Sequence, residues 1–177
     1  MTLHFARSGS GEPLVLIHGI GHHWRAWEPV IGPLSRHHDV IALDLPGFGR
    51  SPASEANRGM PTAVAALGEF FAGLGLDRPH VAGNSLGGAI ALELAAAGLA
   101  RSVTALAPAG FGTAAQVRRA LVRNALPAAR HVTLDGCGHV PMSDDPGTVA
   151  RIILETTAAV PLRSGSASGR LGPTASG

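Results

Sequence analysis

Short, continuous apolar runs alternate along the chain with longer stretches in which apolar residues recur at helical spacing. The predicted strands are residues 2–7, 13–17, 39–43, the run that enters Ser85, 102–107 and 131–134. The predicted helices are residues 24–36, 61–75, the run that leaves Ser85, 114–126 and 147–159. A buried parallel strand is apolar throughout, as most of these runs are. Strands that alternate with helices predict an α/β fold with a mainly parallel sheet.

Composition narrows the classes of protein to which the chain can belong. Its 177 residues fit one domain, and 45% of them are apolar, which favours a globular protein over a disordered one. Residues 1–161 are expected to form the domain, and the Ser-, Gly-, Ala- and Pro-rich residues 162–177 a disordered tail. No apolar run reaches the ~18 residues of a membrane span, and the N-terminus lacks a signal-peptide layout. We therefore expect a cytoplasmic protein without a membrane partner.

Charge and cysteine content argue against two further classes. The formal net charge is +2, and all 14 basic residues are arginines scattered along the chain. Because nucleic-acid binding needs a concentrated basic patch, we expect no nucleic-acid partner. The single cysteine, Cys137, excludes an internal disulfide and suits a reducing compartment.

The stretch at 80–97 carries the clearest chemical signal. A short apolar run enters Gly83-Asn84-Ser85-Leu86-Gly87, and an Ala- and Leu-rich helical run leaves it. A Gly-x-Ser-x-Gly turn between a strand and a helix is typical of a nucleophile elbow, in which the serine lies on a strained turn. The residues two before and two after the serine crowd together, so that glycine is needed at both positions. The alternative is an ordinary glycine turn between a strand and a helix.

Several further segments occur in a fixed order around this stretch. They are Leu16-Ile17-His18-Gly19, Asp44-Leu45-Pro46-Gly47-Phe48-Gly49-Arg50-Ser51 and Gly136-Cys137-Gly138-His139-Val140-Pro141 with Asp145-Pro146. Together with the elbow they resemble the α/β-hydrolase superfamily, in the subgroup of small serine hydrolases that includes carboxylesterases, meta-cleavage carbon–carbon hydrolases and cofactor-free haloperoxidases. The resemblance implies a shortened α/β-hydrolase fold, with a mainly parallel sheet of about six strands flanked by helices and no lid.

The resemblance also implies roles for individual residues. Ser85 would be the nucleophile and His139 its general base and acid, because a serine hydroxyl needs a neighbouring imidazole to take its proton. The backbone amides of Ile20 and Leu86 would form the oxyanion hole. His18 is expected to brace its loop and not to take part in catalysis.

An apolar pocket for the acyl group is expected next to these residues. Trp24 and Val140, with Ile20 and Leu86, would line it in the family layout. Simple core packing is the better interpretation for Trp27 and an equal alternative for Trp24. Asp44, at the start of its Pro- and Gly-containing loop, is assigned to turn chemistry.

The sequence departs from the family at the third member of the triad. The family order is serine, acid, histidine, yet only Glu93 and Asp135 lie between Ser85 and His139. Glu93 is expected to point away from the elbow, which leaves Asp135, or Asp144 beyond the histidine, as a substitute acid. If the strand at 131–134 pairs directly with that at 102–107, the loop that carries His139 moves by one strand spacing of about 4.8 Å. Contact between the imidazole and the serine is then in doubt.

Metal and cofactor sites are not expected. Neighbouring histidines occur at 22–23 and 37–38, but adjacent side chains point to different faces and no third ligand is suitably spaced. We expect both pairs to be exposed to solvent. Cys137 lies close to His139 in sequence but is expected to be a small turn residue and not a nucleophile.

The function that this pattern favours is hydrolysis of small carboxylic esters or related carbonyl compounds by a serine hydrolase that forms an acyl-enzyme. Lack of a triad acid predicts a weakened enzyme. Acyl transfer or perhydrolysis at the same site is equally consistent with the sequence. The alternative is a hydrolase fold without catalysis, which binds a ligand or needs another chain to complete its sheet. An exposed sheet edge would favour self-association.

Overall fold

The computed structural model describes residues 2–54, 59–110 and 132–160. The five strands of the described chain are β1 (Phe5–Ser8), β2 (Glu12–Ile17), β3 (His38–Leu43), β4 (His80–Asn84) and β5 (Ser102–Leu106). The helices are α1 (Glu28–Ser35), α2 (Met60–Gly73), α3 (Leu86–Ala96), α4 (Pro141–Asp144) and α5 (Pro146–Ala158). One turn of 3-10 helix, Trp24–Trp27, leads directly into α1.

The strands form one mixed sheet in the order β1-β3-β2-β4-β5. β1 is antiparallel to β3, whereas the pairs β2–β3, β2–β4 and β4–β5 are parallel. The expected α/β fold with a mainly parallel sheet is therefore confirmed. Because β2, β3 and β4 run the same way, the segments that follow them meet at one edge of the sheet, here called the carboxyl edge.

Both faces of the sheet are covered, as the continuous apolar runs require. Alternate residues of a strand point to opposite faces. Val15 and Ile17 of β2 belong to a core cluster that includes residues of α2 and α3. Leu14 and Leu16 belong to a second cluster, which includes residues of α1 and α5. The sheet is thus the middle layer between two helical layers.

The sixth predicted strand is wrong in its described part. Residues 132–134 are not in a strand, and the Val132 side chain is 41% exposed. Within the described residues, β5 pairs with β4 on one side only and has no further strand beside it. The described sheet thus has five strands where about six were expected. His131, the predicted helix 114–126 and the predicted tail 162–177 lie outside the described residues.

The helix boundaries follow their sequence signals closely. Pro61 lies in the first turn of α2, where its missing amide hydrogen costs nothing. Asp145 caps α5 by accepting a hydrogen bond of 3.0 Å from the Thr148 amide. Among the described helices, none has the length and apolar character needed to cross a bilayer.

Candidate active site

Ser85 lies at the junction of β4 and α3, on the carboxyl edge. Its backbone dihedrals, φ 53° and ψ −115°, are strained for a residue with a side chain. The turn is held in place because the Ser85 amide donates to the Leu106 carbonyl at 3.0 Å. The Ser85 carbonyl accepts from Ala89 at 3.0 Å and from Ala109 at 2.9 Å. The strained serine turn predicted from the sequence is confirmed.

The two glycines that flank Ser85 are required by close contacts between backbones. A Cβ on Gly83 would lie 2.1 Å from the Gly87 carbonyl oxygen, so the residues two before and two after the serine do crowd together. A Cβ on Gly87 would lie 2.1 Å from the Ile17 carbonyl oxygen of β2. Neither neighbour can move aside, because both are main-chain atoms. This requirement distinguishes the turn from an ordinary glycine turn.

The structure brings His139 to Ser85. The His139 Nε2 atom lies 2.8 Å from the Ser85 Oγ atom, although 54 residues separate the two in sequence. His139 lies in the segment between residue 132 and α4, which is not a strand, and its side chain is exposed. The shift by one strand spacing does not occur, because no strand at 132–134 pairs with β5. A direct hydrogen bond between the two side chains is the arrangement that proton transfer needs.

Neither acidic side chain considered as a substitute contacts the His139 ring. The Asp144 carboxylate accepts a hydrogen bond of 2.7 Å from the Gly138 amide, and Asp135 is exposed. In the described part of the chain, no hydrogen bond reaches His139 Nδ1. Asp144 thus orders the backbone next to His139 and does not bind its imidazole.

Asn84 connects the histidine segment to the sheet, and the sequence analysis did not identify it. Its side-chain Nδ2 donates to the His139 carbonyl at 2.8 Å and to the Leu106 carbonyl at 3.3 Å. The Asn84 side chain is only 1% exposed. An available signal was its polarity, since Asn84 ends the otherwise apolar run that enters Ser85.

The loop after β2 lies against the serine from the other side. A Cβ on Gly19 would lie 3.0 Å from the Ser85 Cβ atom. Leu86 begins α3, and the amides of Ile20 and Leu86 donate no backbone hydrogen bond to a described residue. The Ile20 side chain is 66% exposed. Two unused amides beside a serine at a helix N-terminus suit an anion.

His18 holds this loop in place. Its Nδ1–H donates to the Gly19 carbonyl at 2.7 Å, and its Nε2 accepts from the Leu45 amide at 2.9 Å. The ring is fully buried, and burial lowers its pKa, so the neutral form predominates at neutral pH. His18 therefore links the loops after β2 and β3, which is the bracing position expected from the sequence.

Asp44 organises the loop after β3. Its buried carboxylate accepts hydrogen bonds from the Trp24 amide at 2.7 Å, the Arg50 amide at 2.9 Å and His4 Nδ1 at 2.9 Å. Burial alone would raise the pKa of Asp44, but the bonds from Arg50, Trp24 and His4 outweigh it and lower the pKa. A Cβ on Gly49 would lie 2.2 Å from the carboxylate. The assignment of Asp44 to turn chemistry is confirmed.

The two tryptophans and Val140 lie on one side of the sheet. Trp27 is fully buried in the second core cluster, and Trp24 and Val140 pack against that cluster while partly exposed. Trp24 also lines a cavity of about 300 Å³ with His4, Asp44 and Arg50. Core packing is thus established for Trp27, whereas Trp24 combines packing with exposure.

One of the four paired histidines differs from expectation. His22, His23 and His37 are exposed, but His38 is buried, with its Nδ1 3.1 Å from the Glu12 carbonyl and its Nε2 2.9 Å from Thr157 Oγ. The prediction of exposure is therefore wrong for His38, because adjacency fixes only that two side chains diverge and not which one turns inward. No cluster of three metal-ligating side chains occurs in the described ranges.

Cys137 has a partly buried side chain among acidic neighbours. Desolvation, together with the carboxylates of Asp145, Asp144 and Asp135, raises the pKa of its thiol. The thiolate is therefore disfavoured, which agrees with the assignment of Cys137 as a turn residue.

A second serine–histidine contact lies at the opposite, amino edge of the sheet. His80, which begins β4, has its Nδ1 2.7 Å from Ser102 Oγ and its Nε2 3.1 Å from a Glu12 carboxylate oxygen. Glu12 also forms an ion pair with Arg101. Burial lowers the pKa of His80 despite the opposing effect of Glu12. We call Glu12, His80, Arg101 and Ser102 the amino-edge cluster; the sequence analysis did not identify it.

Comparisons with known proteins show the fold family of this chain. A family model described as the alpha/beta hydrolase fold matches residues 12–124. The chain is 43% identical over 89 residues to (E)-2-((N-methylformamido)methylene)succinate hydrolase of Acinetobacter baylyi, a match that covers 50% of this chain and 34% of that protein. The matched part therefore spans about a third of the length of that curated relative.

Two solved structures share the fold. Naproxen esterase from Bacillus subtilis is 28% identical, with a TM-score of 0.57, and the match covers 60% of this chain and 39% of the esterase. A protein from Thermoplasma acidophilum, described as a predicted CIB-like hydrolase, is 18% identical, with a TM-score of 0.72, over 90% of this chain and 99% of that one. At that identity the second likeness shows the fold alone.

Proposed function

The chain belongs to the α/β-hydrolase fold family, and on that premise we propose that it is a serine hydrolase of small carboxylic esters. The observation that carries the proposal is the 2.8 Å hydrogen bond between Ser85 and His139 at a strained turn. Hydrolase names among its relatives support the general class of reaction. The serine chemistry and the residue roles are our proposal.

In the proposed reaction, neutral His139 acts first as a base. Its Nε2 takes the Ser85 hydroxyl proton as Oγ attacks the ester carbonyl carbon and forms a tetrahedral intermediate. The bond from that carbon to the alcohol oxygen then breaks, and the leaving alkoxide receives the proton from His139. Water, deprotonated by His139, attacks the resulting acyl-serine and releases the carboxylic acid, while Ser85 Oγ regains its proton.

The amides of Ile20 and Leu86 would stabilise the oxyanion of each tetrahedral intermediate. Two observations support this role for the two amides: the Gly19 loop lies close to Ser85, and Leu86 lies in the first turn of α3. Each such donor contributes about 3 kcal/mol to transition-state stabilisation in comparable enzymes.

The acyl group would contact apolar side chains around the serine. We assign Trp24 and Val140 to this contact, because both are partly exposed at the same core cluster. The exposed Ile20 side chain adds apolar surface beside the oxyanion loop.

No described residue bonds to His139 Nδ1, and on that basis we expect a slow enzyme. A triad acid orients the imidazole and stabilises its charged form, and its loss costs about 10⁴-fold in kcat, while the oxyanion hole retains part of the catalysis. No described carboxylate takes that position here. We expect activated esters to be hydrolysed measurably and unactivated esters slowly.

Covalent labelling tests the proposal directly. A fluorophosphonate probe should modify wild-type protein at Ser85, located by mass spectrometry, and should not modify the Ser85→Ala variant. Hydrolysis of p-nitrophenyl acetate should fall to the background rate in the same variant. Folded wild-type protein that stays unlabelled, or equal hydrolysis by both proteins, would refute the proposal.

The lack of a described partner at His139 Nδ1 favours one alternative, a hydrolase fold without catalysis that binds a carbonyl compound. In that case the protein would bind small esters without turnover. Isothermal titration with a non-hydrolysable amide analogue, combined with absence of labelling, would support the alternative over the hydrolase.

A further inference from the structure

The position of His139 needs an explanation, because the usual means of holding a catalytic histidine are missing from the described residues. No described carboxylate bonds to its Nδ1, and residues 132–134 form no strand that would fix the segment to the sheet. His139 is nevertheless within hydrogen-bond distance of Ser85. Within the described residues, the contact that holds the segment is therefore neither an acid nor a strand ladder.

Asn84 provides the direct link. Its two Nδ2 hydrogens can each reach a carbonyl oxygen, that of His139 at 2.8 Å and that of Leu106 at 3.3 Å. The side-chain orientation is unambiguous, since a carbonyl accepts and never donates, so the amide nitrogen must face both oxygens. The Leu106 carbonyl also accepts from the Ser85 amide, so the histidine segment and the serine turn share one anchor on β5.

Burial makes this link strong. Asn84 is 1% exposed, so water does not compete for its amide hydrogens. Removing the amide takes this partner from the His139 carbonyl, while the Leu106 carbonyl keeps its bond from the Ser85 amide. A Cβ on Gly19 would lie 3.4 Å from Asn84 Oδ1, so the same side chain also borders the loop proposed to hold the oxyanion. One amide group thus lies where the serine turn, the histidine segment and the oxyanion loop meet.

We propose that Asn84 is a positioning residue that fixes the His139 backbone over Ser85, in a site where no described carboxylate orients the imidazole. The inference rests on the proposed function. Asn84 touches no reacting atom, and acts through the main chain of the general base. Because an error of about 1 Å in a catalytic group can lower the rate 10²-fold, the loss of this link should reduce kcat far more than it changes KM.

The test is a double-mutant cycle. In one of its backgrounds the His139 side chain is removed, and imidazole added to the solution takes its place as the base. Asn84→Ala should lower kcat for p-nitrophenyl acetate by about tenfold to hundredfold, with KM changed less than about threefold. In the His139→Ala background, assayed with added imidazole, Asn84→Ala should change the rate less than about threefold, because an untethered base does not need the link. Thr104→Val, which alters a buried polar side chain on β5, is the control and should keep kcat near that of wild type.

A merely structural role for Asn84 gives the opposite pattern. Equal losses in both backgrounds, or an unchanged kcat in Asn84→Ala, would overturn the inference. If wild-type protein is neither labelled nor active, the proposed function fails, and nitrogen-15 NMR of the histidine rings still decides the inference. Asn84→Ala should then shift the His139 ring signals and leave those of His38 and His80 in place. Unmoved His139 signals would refute the link.

Discussion

Two edges of one sheet each hold a serine hydroxyl within hydrogen-bond distance of a histidine. At the carboxyl edge the Ser85–His139 distance is 2.8 Å, and at the amino edge the Ser102–His80 distance is 2.7 Å. Among the described residues, only the amino-edge histidine has a carboxylate, that of Glu12, on its second nitrogen. Counting members of a triad would therefore choose the amino edge as the site of catalysis.

The surroundings of the two pairs reverse that choice. His139 is exposed, whereas His80 is 1% exposed, so a substrate can reach only the first. Helices that follow parallel strands run back across the sheet, which places their N-termini and positive dipole ends at the carboxyl edge. The amino edge receives the negative ends instead, and an oxyanion would be destabilised there. Access and the direction of the helix dipoles, more than the serine–histidine contact itself, distinguish a catalytic site from a structural cluster.

Removing each serine hydroxyl is the strongest test of this comparison. Ser85→Ala should lower kcat/KM for activated esters by about 10³-fold or more, because the nucleophile is lost. Ser102→Ala should leave kcat/KM within about twofold of wild type, because it removes one hydrogen bond of a structural cluster. Steady-state hydrolysis of p-nitrophenyl acetate measures both. A large loss in Ser102→Ala with intact folding would reverse the assignment of the two edges.

Replacing glycine tests whether the close main-chain contacts around Ser85 are what require glycine at positions 83 and 87. Gly83→Ala and Gly87→Ala each place a Cβ 2.1 Å from a main-chain oxygen and should lower the free energy of unfolding. We expect a loss of about 3 kcal/mol or more, at the upper end of the cost of overpacking. Urea unfolding followed by circular dichroism gives the value.

Gly73 is the matched control for these two variants. It is the exposed last residue of α2, and a Cβ there would meet nothing within 4 Å. Gly73→Ala should leave stability unchanged or raise it by up to about 1 kcal/mol, since alanine is the better helix former. Similar losses in all three variants would mean that the close contacts around Ser85 are not what requires glycine.

The amino-edge cluster should affect stability more than activity. Glu12→Gln weakens the bonds to His80 and Arg101 and should cost about 1–2 kcal/mol of unfolding free energy, as for a partly buried hydrogen bond to a charged group. Asp39→Asn breaks the exposed ion pair with Arg7 and should cost less than about 1 kcal/mol. Specific activity of the folded protein should be unchanged in both. A loss of activity in Glu12→Gln but not in Asp39→Asn would mean that the amino-edge cluster contributes to activity at the carboxyl edge, contrary to this prediction.

The carboxyl edge could be predicted from the sequence because its features are local. The Gly83–Ser85–Gly87 spacing marks the strained turn, since a Cβ on Gly83 conflicts with Gly87, only four residues away. The contact that requires glycine at 87 is with the distant Ile17 carbonyl and follows only from the packed sheet. His18 and Asp44 follow short apolar runs, so parallel strands bring them to the same edge. The fold class follows from the same alternation of strands and helices.

What the sequence did not reveal depends on contacts between distant segments. The apolar residues at 131–134 resemble a strand, but a strand needs a partner ladder, and the described residues 132–134 have none. The Asn84–His139 bond joins a side chain to a backbone carbonyl, which no sequence pattern marks. The amino-edge cluster was missed because Glu12, His80 and Ser102 each begin a different strand and meet only once the sheet has formed.

The pH dependence of stability is the smallest expected effect, and it comes from the buried histidines. Burial lowers the pKa of His80, whose ring faces Glu12, His38, Arg101 and Ser102. Below about pH 6.5 the unfolded chain binds a proton that folded His80 resists, so the stabilising contribution present above that pH is lost as the pH falls. Urea midpoints should therefore decrease from pH 7.5 to pH 5.5. His80→Gln should flatten that dependence without abolishing it, because burial lowers the pKa of His18 in the same direction. An unchanged pH dependence in His80→Gln would show that protonation of His80 does not limit stability in this range.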